Sequence, residues 1–336
     1  MSEASQVPVF LELEPQADPG PVAAELARQG VWFSSVGAAG RRGFQLQPHS
    51  VKCDLGALEA IEGVAAVYSR SSGRPLLDAQ AGQPVLVAGR PLGGGAAPVL
   101  AAGPCAVESR AQIEEAAAEV AAAGGALLRG GAFKPRTSPW SFAGVGRRAL
   151  GWLRDAADRH GLAVVTEVMS EGEVEAVAEV ADLLQVGSRN MQNFALLGAL
   201  GAAGLPVLLK RGMAATVEEW LLAGEHALRG GARGVVFCER GIRGFDPSTR
   251  NLLDLGAVAL LRHVERQPVL ADPSHGAGRR DLIPALSRAS LAAGADGLLL
   301  EMHPDPARAR SDASQALLPA ELRALTQDLL PAEVTT

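Results

Sequence analysis

Lysine is the scarcest charged residue in this 336-residue sequence. Of 31 Lys+Arg, only Lys52, Lys134 and Lys210 are lysine, which leaves 31 − 3 = 28 arginines. Arginine keeps the charge but not the chemistry of an amine, so a lysine that persists in such a chain points to a site that needs one. Cysteine is sparse and odd in number: Cys53, Cys105 and Cys238. That excludes a disulfide framework and fits a reducing cytoplasm, where thiols serve as core residues, ligands or nucleophiles. Positive charge is not in excess: the formal charge is −6, so no broad basic face for nucleic acid is expected. No run approaches 18 apolar residues, so no membrane span is expected. Residues 1–6 carry Glu3 and no basic stretch leading into an apolar one, so no signal peptide is expected either.

What is present is a globular composition. Hydrophobic residues make up 48% and charged residues 20%, enough to bury a large core and too apolar for a disordered or collagen-like chain. The length suggests about two domains. Residues 7–13, 31–35, 42–47 and 64–69 read as strands, and 20–29 and 54–62 as helices, the first opened by Pro21 and the second capped by Asp54. This β-α-β-β-α-β order over residues 1–70 is the ferredoxin-like pattern. A linker is expected over 71–97, rich in Gly, Pro and Ala, with GRPLGGG at 89–95 its most flexible part.

From residue 98 to 336 the texture changes. Apolar runs at 99–105, 126–130, 163–168, 182–187, 206–211, 234–239, 268–272 and 297–302 alternate with Ala/Leu/Glu/Arg-rich helical stretches. Short runs that are apolar on both faces are the mark of buried parallel strands. Eight of them argue for an α/β fold, a (β/α)8 TIM barrel behind a small α+β domain; a doubly wound open sheet is the alternative.

A barrel of this kind builds its active site at the carboxyl ends of the strands. There stand Cys105, Arg129 with Lys134, Glu167, Ser188 with Arg189, Lys210 with Arg211, Glu239 with Arg240, Asp272 with His275, and Glu301 with His303. Arg129, Lys134, Arg136, Arg189, Lys210 and Arg240 would converge into a positive pocket inside an acidic protein. Its natural occupant is a small, phosphorylated substrate with several negative charges. Cys105, His275, Glu301 and Asp312 offer a thiolate, an imidazole and two carboxylates, a donor set suited to a divalent metal. Spacing alone says little about this set, because it contains no CxxC or HExxH pair. A metal-dependent hydrolase of barrel fold would need a second His pair or a carboxylated lysine, and neither is visible. A non-catalytic anion-binding regulator would not need four ligands on separate loops.

These residues lie in AGPCAVES (102–109), LRGGAFKPRTSPWSF (128–142), TEVM (166–169), QVGSRNMQNFALL (185–197), PVLLKRG (206–212), CERGIRGF (238–245), TRNLLDL (249–255), DPSHGAGRRDLIPALSRA (272–289) and EMHPDPARARSD (301–312). Together and in this order they resemble the 3-deoxy-D-arabino-heptulosonate 7-phosphate (DAHP) synthase family, type I-beta, which has an N-terminal ferredoxin-like domain. The resemblance covers the whole barrel; residues 1–70 match in pattern and length only. It implies the metal-dependent condensation of phosphoenolpyruvate with erythrose 4-phosphate, releasing phosphate, at the entry to the shikimate pathway.

By motif position, the resemblance makes Cys105, His275, Glu301 and Asp312 ligands of a divalent metal such as Mn, Fe, Co or Zn. It puts Arg129, Lys134 and Lys210 around the phosphoenolpyruvate carboxylate, and Arg189 and Arg240 on its phosphate. Glu167 and Ser188 line the pocket, and Arg136 and Thr137 bind the aldose phosphate. Lys134 is the candidate proton donor and Asp272 the residue that orients His275 or its water. The sister family, 3-deoxy-D-manno-octulosonate 8-phosphate synthase, uses arabinose 5-phosphate and carries K-A-N-R-S/T where this chain has Lys134-Pro135-Arg136-Thr137. The resemblance further implies feedback control by tyrosine or phenylalanine through the N-terminal domain, a homotetramer, and a cytoplasmic location. Lys52, Cys53 and Cys238 receive no role; His49, Arg41 and Arg42 read as solvated turn residues.

Overall fold

The structure is a computed structural model that describes all residues except 1–8, 39–40, 48–53, 70–72, 135–137, 139 and 330–336. Lys52, Cys53 and His49 fall outside the described residues. The chain divides into two compact units, Met1–Asp78 and Ala79–Thr336.

The first unit is an antiparallel sheet with two helices. β1 (Val9–Leu13), β2 (Phe33–Ala38), β3 (Arg41–Leu46) and β4 (Val64–Ser69) lie in the order β2-β3-β1-β4. That is the ferredoxin-like topology expected from the element order. α1 (Pro19–Arg28) buries Val22 and Leu26, and α2 (Leu55–Glu59) buries Leu58, against Leu11, Leu13, Phe44 and Leu46 of the sheet. Asp54 caps α2 through Gly56 N–H at 2.9 Å, as its residue type suggests. α2 is shorter than the expected 54–62, ending at Glu59 ahead of Gly63, whose φ is +91°.

The second unit is a closed parallel barrel. Its strands are β7 (Val99–Gly103), β8 (Leu127–Arg129), β9 (Ala163–Glu167), β10 (Leu183–Val186), β11 (Val207–Lys210), β12 (Val235–Glu239), β13 (Val269–Ala271) and β14 (Gly297–Glu301). Each pairs with the next in sequence, and β14 closes on β7 with Leu299 opposite Ala101. The eight apolar runs are therefore the eight barrel strands. Helices α4 (Arg110–Ala122), α5 (Arg147–Arg159), α6 (Val174–Ala178), α7 (Phe194–Ala202), α8 (Val217–Arg229), α9 (Leu255–Ala259), α11 (Ile283–Ala292) and α12 (Pro319–Leu329) follow the strands in turn, and a short α10 (Pro273–Ala277) intervenes after β13.

In the stretch 71–97, expected as a flexible linker, the described residues 73–97 carry regular secondary structure. It holds α3 (Pro75–Gln80) and a hairpin of β5 (Val85–Val87) and β6 (Arg90–Leu92). Ala88 and Gly89 turn the hairpin with φ of 48° and 78°, the left-handed pair a two-residue hairpin needs. Val85, Val87 and Leu92 join the barrel's own interior cluster with Ala101, Leu127, Ala163, Leu183, Leu208, Val236 and Leu299. The high Gly and Pro content that reads as flexibility is in fact turn chemistry around three buried apolar residues.

Candidate active site

Strand alternation builds the site. Successive side chains of a strand point to opposite faces, so in a barrel every second residue points inward. Leu127, Val165, Leu183, Leu208, Cys238, Leu270 and Leu299 belong to the interior cluster. Two residues further along the same strands stand Arg129, Glu167, Gln185, Lys210, Arg240, Asp272 and Glu301. The apolar layer and the charged layer are thus consecutive floors of one stack, the charged one at the carboxyl ends. This accounts for Cys238, which fills the lower floor: it is fully buried, and burial pushes its thiol up.

The same parity removes two strand-end residues from the pocket. Arg211 and Glu239 are the out-of-step neighbours of Lys210 and Arg240. Arg211 Nη1 donates to Glu239 Oε2 at 3.1 Å and to Asp254 Oδ2 at 2.8 Å, and the guanidinium lies over the Trp220 ring. That cluster holds β11 and β12 to the helices.

On the upper floor the expected metal ligands lie close together. Cys105, Glu301 and Asp312 offer donor atoms within 4.8 Å of one another. Cys105 Sγ donates to Asp312 Oδ2 at 3.0 Å and lies 3.1 Å from Ser311 Oγ. His275 joins them with Nε2 3.4 Å from Glu301 Oε1. The thiol and two carboxylates are close enough to be drawn onto one divalent cation, and the imidazole stands beside them against Glu301. Burial pushes the Cys105 thiol up to about 12, with Glu301 adding to the shift. Burial holds His275 down toward the neutral form, the form that can ligate.

Asp272 orders the imidazole. It caps α10, its Oδ1 accepting from His275 N–H at 2.9 Å, while Oδ2 accepts from Nδ1 at 2.7 Å. The same Oδ2 accepts from Lys210 Nζ at 2.6 Å. Burial alone would raise this carboxyl, but His275 and Lys210 outweigh it and hold the group well below the usual carboxylate range. Arg129 Nη1 donates to Glu301 Oε1 at 2.9 Å and to the Pro104 carbonyl at 3.0 Å. The cationic set and the ligand set, separate in the sequence, are interlocked through Arg129–Glu301 and Lys210–Asp272.

Lys134 Nζ donates to the carbonyl of Cys105 at 2.7 Å, which puts its amine beside a ligand residue. Arg240 is buried, and its Nη1 has no partner among the described residues. Burial lowers its pKa, the electrostatic cost of holding a guanidinium away from water. Arg189 is exposed in the turn Ser188–Asn190, and Ser188 is half-buried. Glu167 Oε1 would lie 2.0 Å from a Cβ on Gly187, so the glycine makes room for it. Arg136 and Thr137 lie outside the described residues.

Two polar residues that sequence reasoning missed also belong here. Gln185 is buried beside Arg129, Lys134 and Glu167 in one small cavity. Its position two residues after Leu183 was the available signal. Ser274 Oγ accepts from Glu301 N–H at 3.0 Å, a contact with no signature in the sequence.

Over 216 residues the chain is 50% identical to a phospho-2-dehydro-3-deoxyheptonate aldolase of Thermotoga maritima, a match that takes in 64% of this chain and 64% of that protein, just under two thirds of each. It is 33% identical over 237 residues to a 2-dehydro-3-deoxyphosphooctonate aldolase of Acidithiobacillus ferrooxidans, covering 65% of this chain and 83% of that one. The crystal structure of a Thermotoga maritima phospho-2-dehydro-3-deoxyheptonate aldolase (DAHP synthase) aligns with a TM-score of 0.73 at 36% identity, covering 96% of each chain. The model of the DAHP synthetase I family matches residues 81–332, the hairpin and the whole barrel, and the chain belongs to that family.

Proposed function

We propose that this chain condenses phosphoenolpyruvate with erythrose 4-phosphate to 3-deoxy-D-arabino-heptulosonate 7-phosphate, releasing phosphate. The observation that carries the reading is the donor cluster of Cys105, Glu301 and Asp312 with Lys134 Nζ on the Cys105 carbonyl. It joins a cation site to a proton donor in a ring of anion-binding residues. Cys105, His275, Glu301 and Asp312 hold a divalent metal in this reading. When bound, the metal supplies Lewis acidity toward the aldehyde oxygen of the aldose.

The chain's own residues supply the rest. Arg129, Lys134 and Lys210 hold the phosphoenolpyruvate carboxylate, and Arg189 and Arg240 its phosphate, with Glu167 and Ser188 beside it. Arg136 and Thr137 take the phosphate of the aldose. Holding both anions together against their repulsion brings the methylene carbon to the aldehyde carbon. That C–C bond forms as the aldehyde C=O opens to an alkoxide, and Lys134 protonates the alkoxide. Water adds at C2, losing a proton that restores the Lys134 ammonium; the C2–O bond to phosphate then breaks as the new C2 hydroxyl becomes the ketone and its proton leaves on the departing phosphate. Asp272 holds His275 by Nδ1 and keeps Nε2 turned to the cluster.

The test is consumption of phosphoenolpyruvate with erythrose 4-phosphate, with arabinose 5-phosphate, and with neither, each with and without a divalent metal. The reading requires turnover only with erythrose 4-phosphate plus metal. Turnover with arabinose 5-phosphate instead would move the chain to the octulosonate-type activity named for relatives at 33% identity. Full turnover in a metal-stripped sample would remove the metal from the reading. Consistent with the N-terminal unit's fold, tyrosine or phenylalanine feedback on a cytoplasmic homotetramer is the regulatory part of this proposal. Its check is inhibition by either amino acid that disappears when residues 1–78 are deleted.

A further inference from the structure

TRNLLDL is the one motif of the sequence whose first residues find no place in the reaction above, yet three ligand-bearing segments converge on it. Its Thr249–Asn251 tripeptide lies between β12 and α9. Asn251 Nδ2 donates to the His275 carbonyl at 2.9 Å. The backbone N–H groups of Arg250 and Asn251 donate to the carbonyls of Ala277 and Gly276 at 2.8 and 2.9 Å. Thr249 Oγ1 closes the loop on the Asn251 carbonyl at 3.0 Å. The tripeptide is thus stitched to the turn that carries His275. That turn ends at Gly278, with φ of +66°, where a Cβ would stand 2.5 Å from the Cβ of Arg250.

From this seat the Arg250 side chain reaches the other two segments. Its Nη1 donates to Asp312 Oδ1 at 3.1 Å and to Gln315 Oε1 at 3.0 Å. Gln315 is 1% exposed, and its Nε2 donates to Glu301 Oε2 at 2.5 Å. The amide has one workable orientation: its oxygen faces a guanidinium and its nitrogen a carboxylate. Asp312 itself sits in the left-handed region at φ 52°, ψ 34°, an uncommon place for a residue with a side chain, which persists only where its surroundings hold it.

We propose that Arg250 and Gln315 are positioning residues: a hydrogen-bonded relay, seated by Thr249–Asn251, that holds the Glu301 and Asp312 carboxylates at the spacing one divalent cation requires. The inference rests on the reading of Cys105, His275, Glu301 and Asp312 as ligands. Glu301, Asp312 and the thiol of Cys105 crowd together where water is scarce, and without bracing two like charges would drive their side chains apart. One guanidinium nitrogen and one amide brace one oxygen of each carboxylate from behind, while the other oxygens meet Arg129 (Glu301 Oε1) and the Cys105 thiol (Asp312 Oδ2). Glu301 Oε1 and Asp312 Oδ2 face the cluster, while Glu301 Oε2 and Asp312 Oδ1 face the relay.

The test uses the full chain, stripped of metal, as wild type, Gln315→Met, Arg250→Met, Arg250→Lys and Cys105→Ser. Co2+ affinity is read by competition with a chromophoric chelator and by the thiolate-to-cobalt absorption band. Thermal unfolding of each metal-free protein is followed in parallel. Gln315→Met and Arg250→Met are expected to weaken Co2+ about ten- to a hundredfold. Arg250→Lys should recover part of that loss, since a single cationic nitrogen makes both contacts. The metal-free melting temperatures of Gln315→Met and Arg250→Lys should stay close to wild type. Co2+ affinities of Gln315→Met and Arg250→Met within twofold of wild type, with Cys105→Ser impaired, would overturn the relay alone. Wild type that binds no Co2+, or Cys105→Ser that binds it as tightly as wild type, would overturn the ligand reading beneath it.

Discussion

The two ends of the barrel are built from the same strands and share almost no chemistry. At the amino-terminal end the hairpin residues Val85, Val87 and Leu92 share an apolar plug with Leu127, Val165, Leu183 and Leu299. At the carboxyl end, two residues further along, the inward positions are Arg129, Glu167, Gln185, Lys210, Arg240, Asp272 and Glu301. The lower end is stabilised by area removed from water and tolerates any apolar residue of the right volume. The upper end carries buried charges, each costly unless a partner stands beside it. The lower end is therefore held by apolar burial, and the upper end by paired charges kept in place for a reaction.

Substitutions can break this contrast, beginning with the largest effect. Lys134→Arg keeps the charge but not an acid able to release its proton near neutral pH. Turnover should fall about 10²–10⁴-fold with phosphoenolpyruvate binding largely retained. Steady-state kinetics with an equilibrium binding measurement checks this, and near-normal turnover would end the proton-donor role. Asp272→Asn leaves the buried Lys210 without its counter-charge and His275 without its orienting carboxylate. A loss of about 3–5 kcal/mol in denaturant unfolding is expected, together with weaker metal binding. Leu92→Ala in the plug should cost a similar 2–5 kcal/mol through a cavity, with metal and substrate affinities unchanged at a temperature where the protein stays folded. A loss of metal affinity in Leu92→Ala would show that the two ends are not independent. Gly187→Ala has the smallest expected effect. Its Cβ displaces the Glu167 carboxylate, and kcat/KM should drop roughly 10–100-fold with little change in unfolding midpoint.

Much of this was legible in the sequence because the barrel rests on local pattern. Each apolar run is short, rich in β-branched residues or leucine, and apolar on both faces, so the eight strands follow from hydrophobic pattern, while the pairing of β14 with β7 decides the closed barrel against a doubly wound open sheet. The charged residues at the strand ends were legible for the same reason, since each interrupts an apolar run. Which of two adjacent charges turns inward was not, because a run apolar on both faces hides its own parity. Lys210 with Arg211 and Glu239 with Arg240 look equivalent in the sequence; the sheet sends Lys210 and Arg240 into the barrel and pairs Arg211 with Glu239 outside it. The hairpin at 85–92 was hidden because its turn is Ala88-Gly89 rather than Asn-Gly, and because a lone pair of three-residue strands has meaning only once a barrel floor exists to receive it.

The scarcity of lysine acquires its meaning at the same boundary. The sequence by itself determined the α/β class, the eight strands, and the two amines, Lys134 and Lys210, kept among 28 arginines. It could do so because periodicity and residue chemistry are properties of neighbours along the chain. Tertiary structure alone decided that Lys210 shares one carboxylate oxygen with His275, that Lys134 rests on the Cys105 carbonyl, and that Arg250 and Gln315 stand behind two carboxylates far from Arg250 in sequence. Apart from the local His275–Asp272 pair, those contacts join residues 14 to 62 positions apart, which meet only when the strand-end loops are brought together on one rim of the barrel.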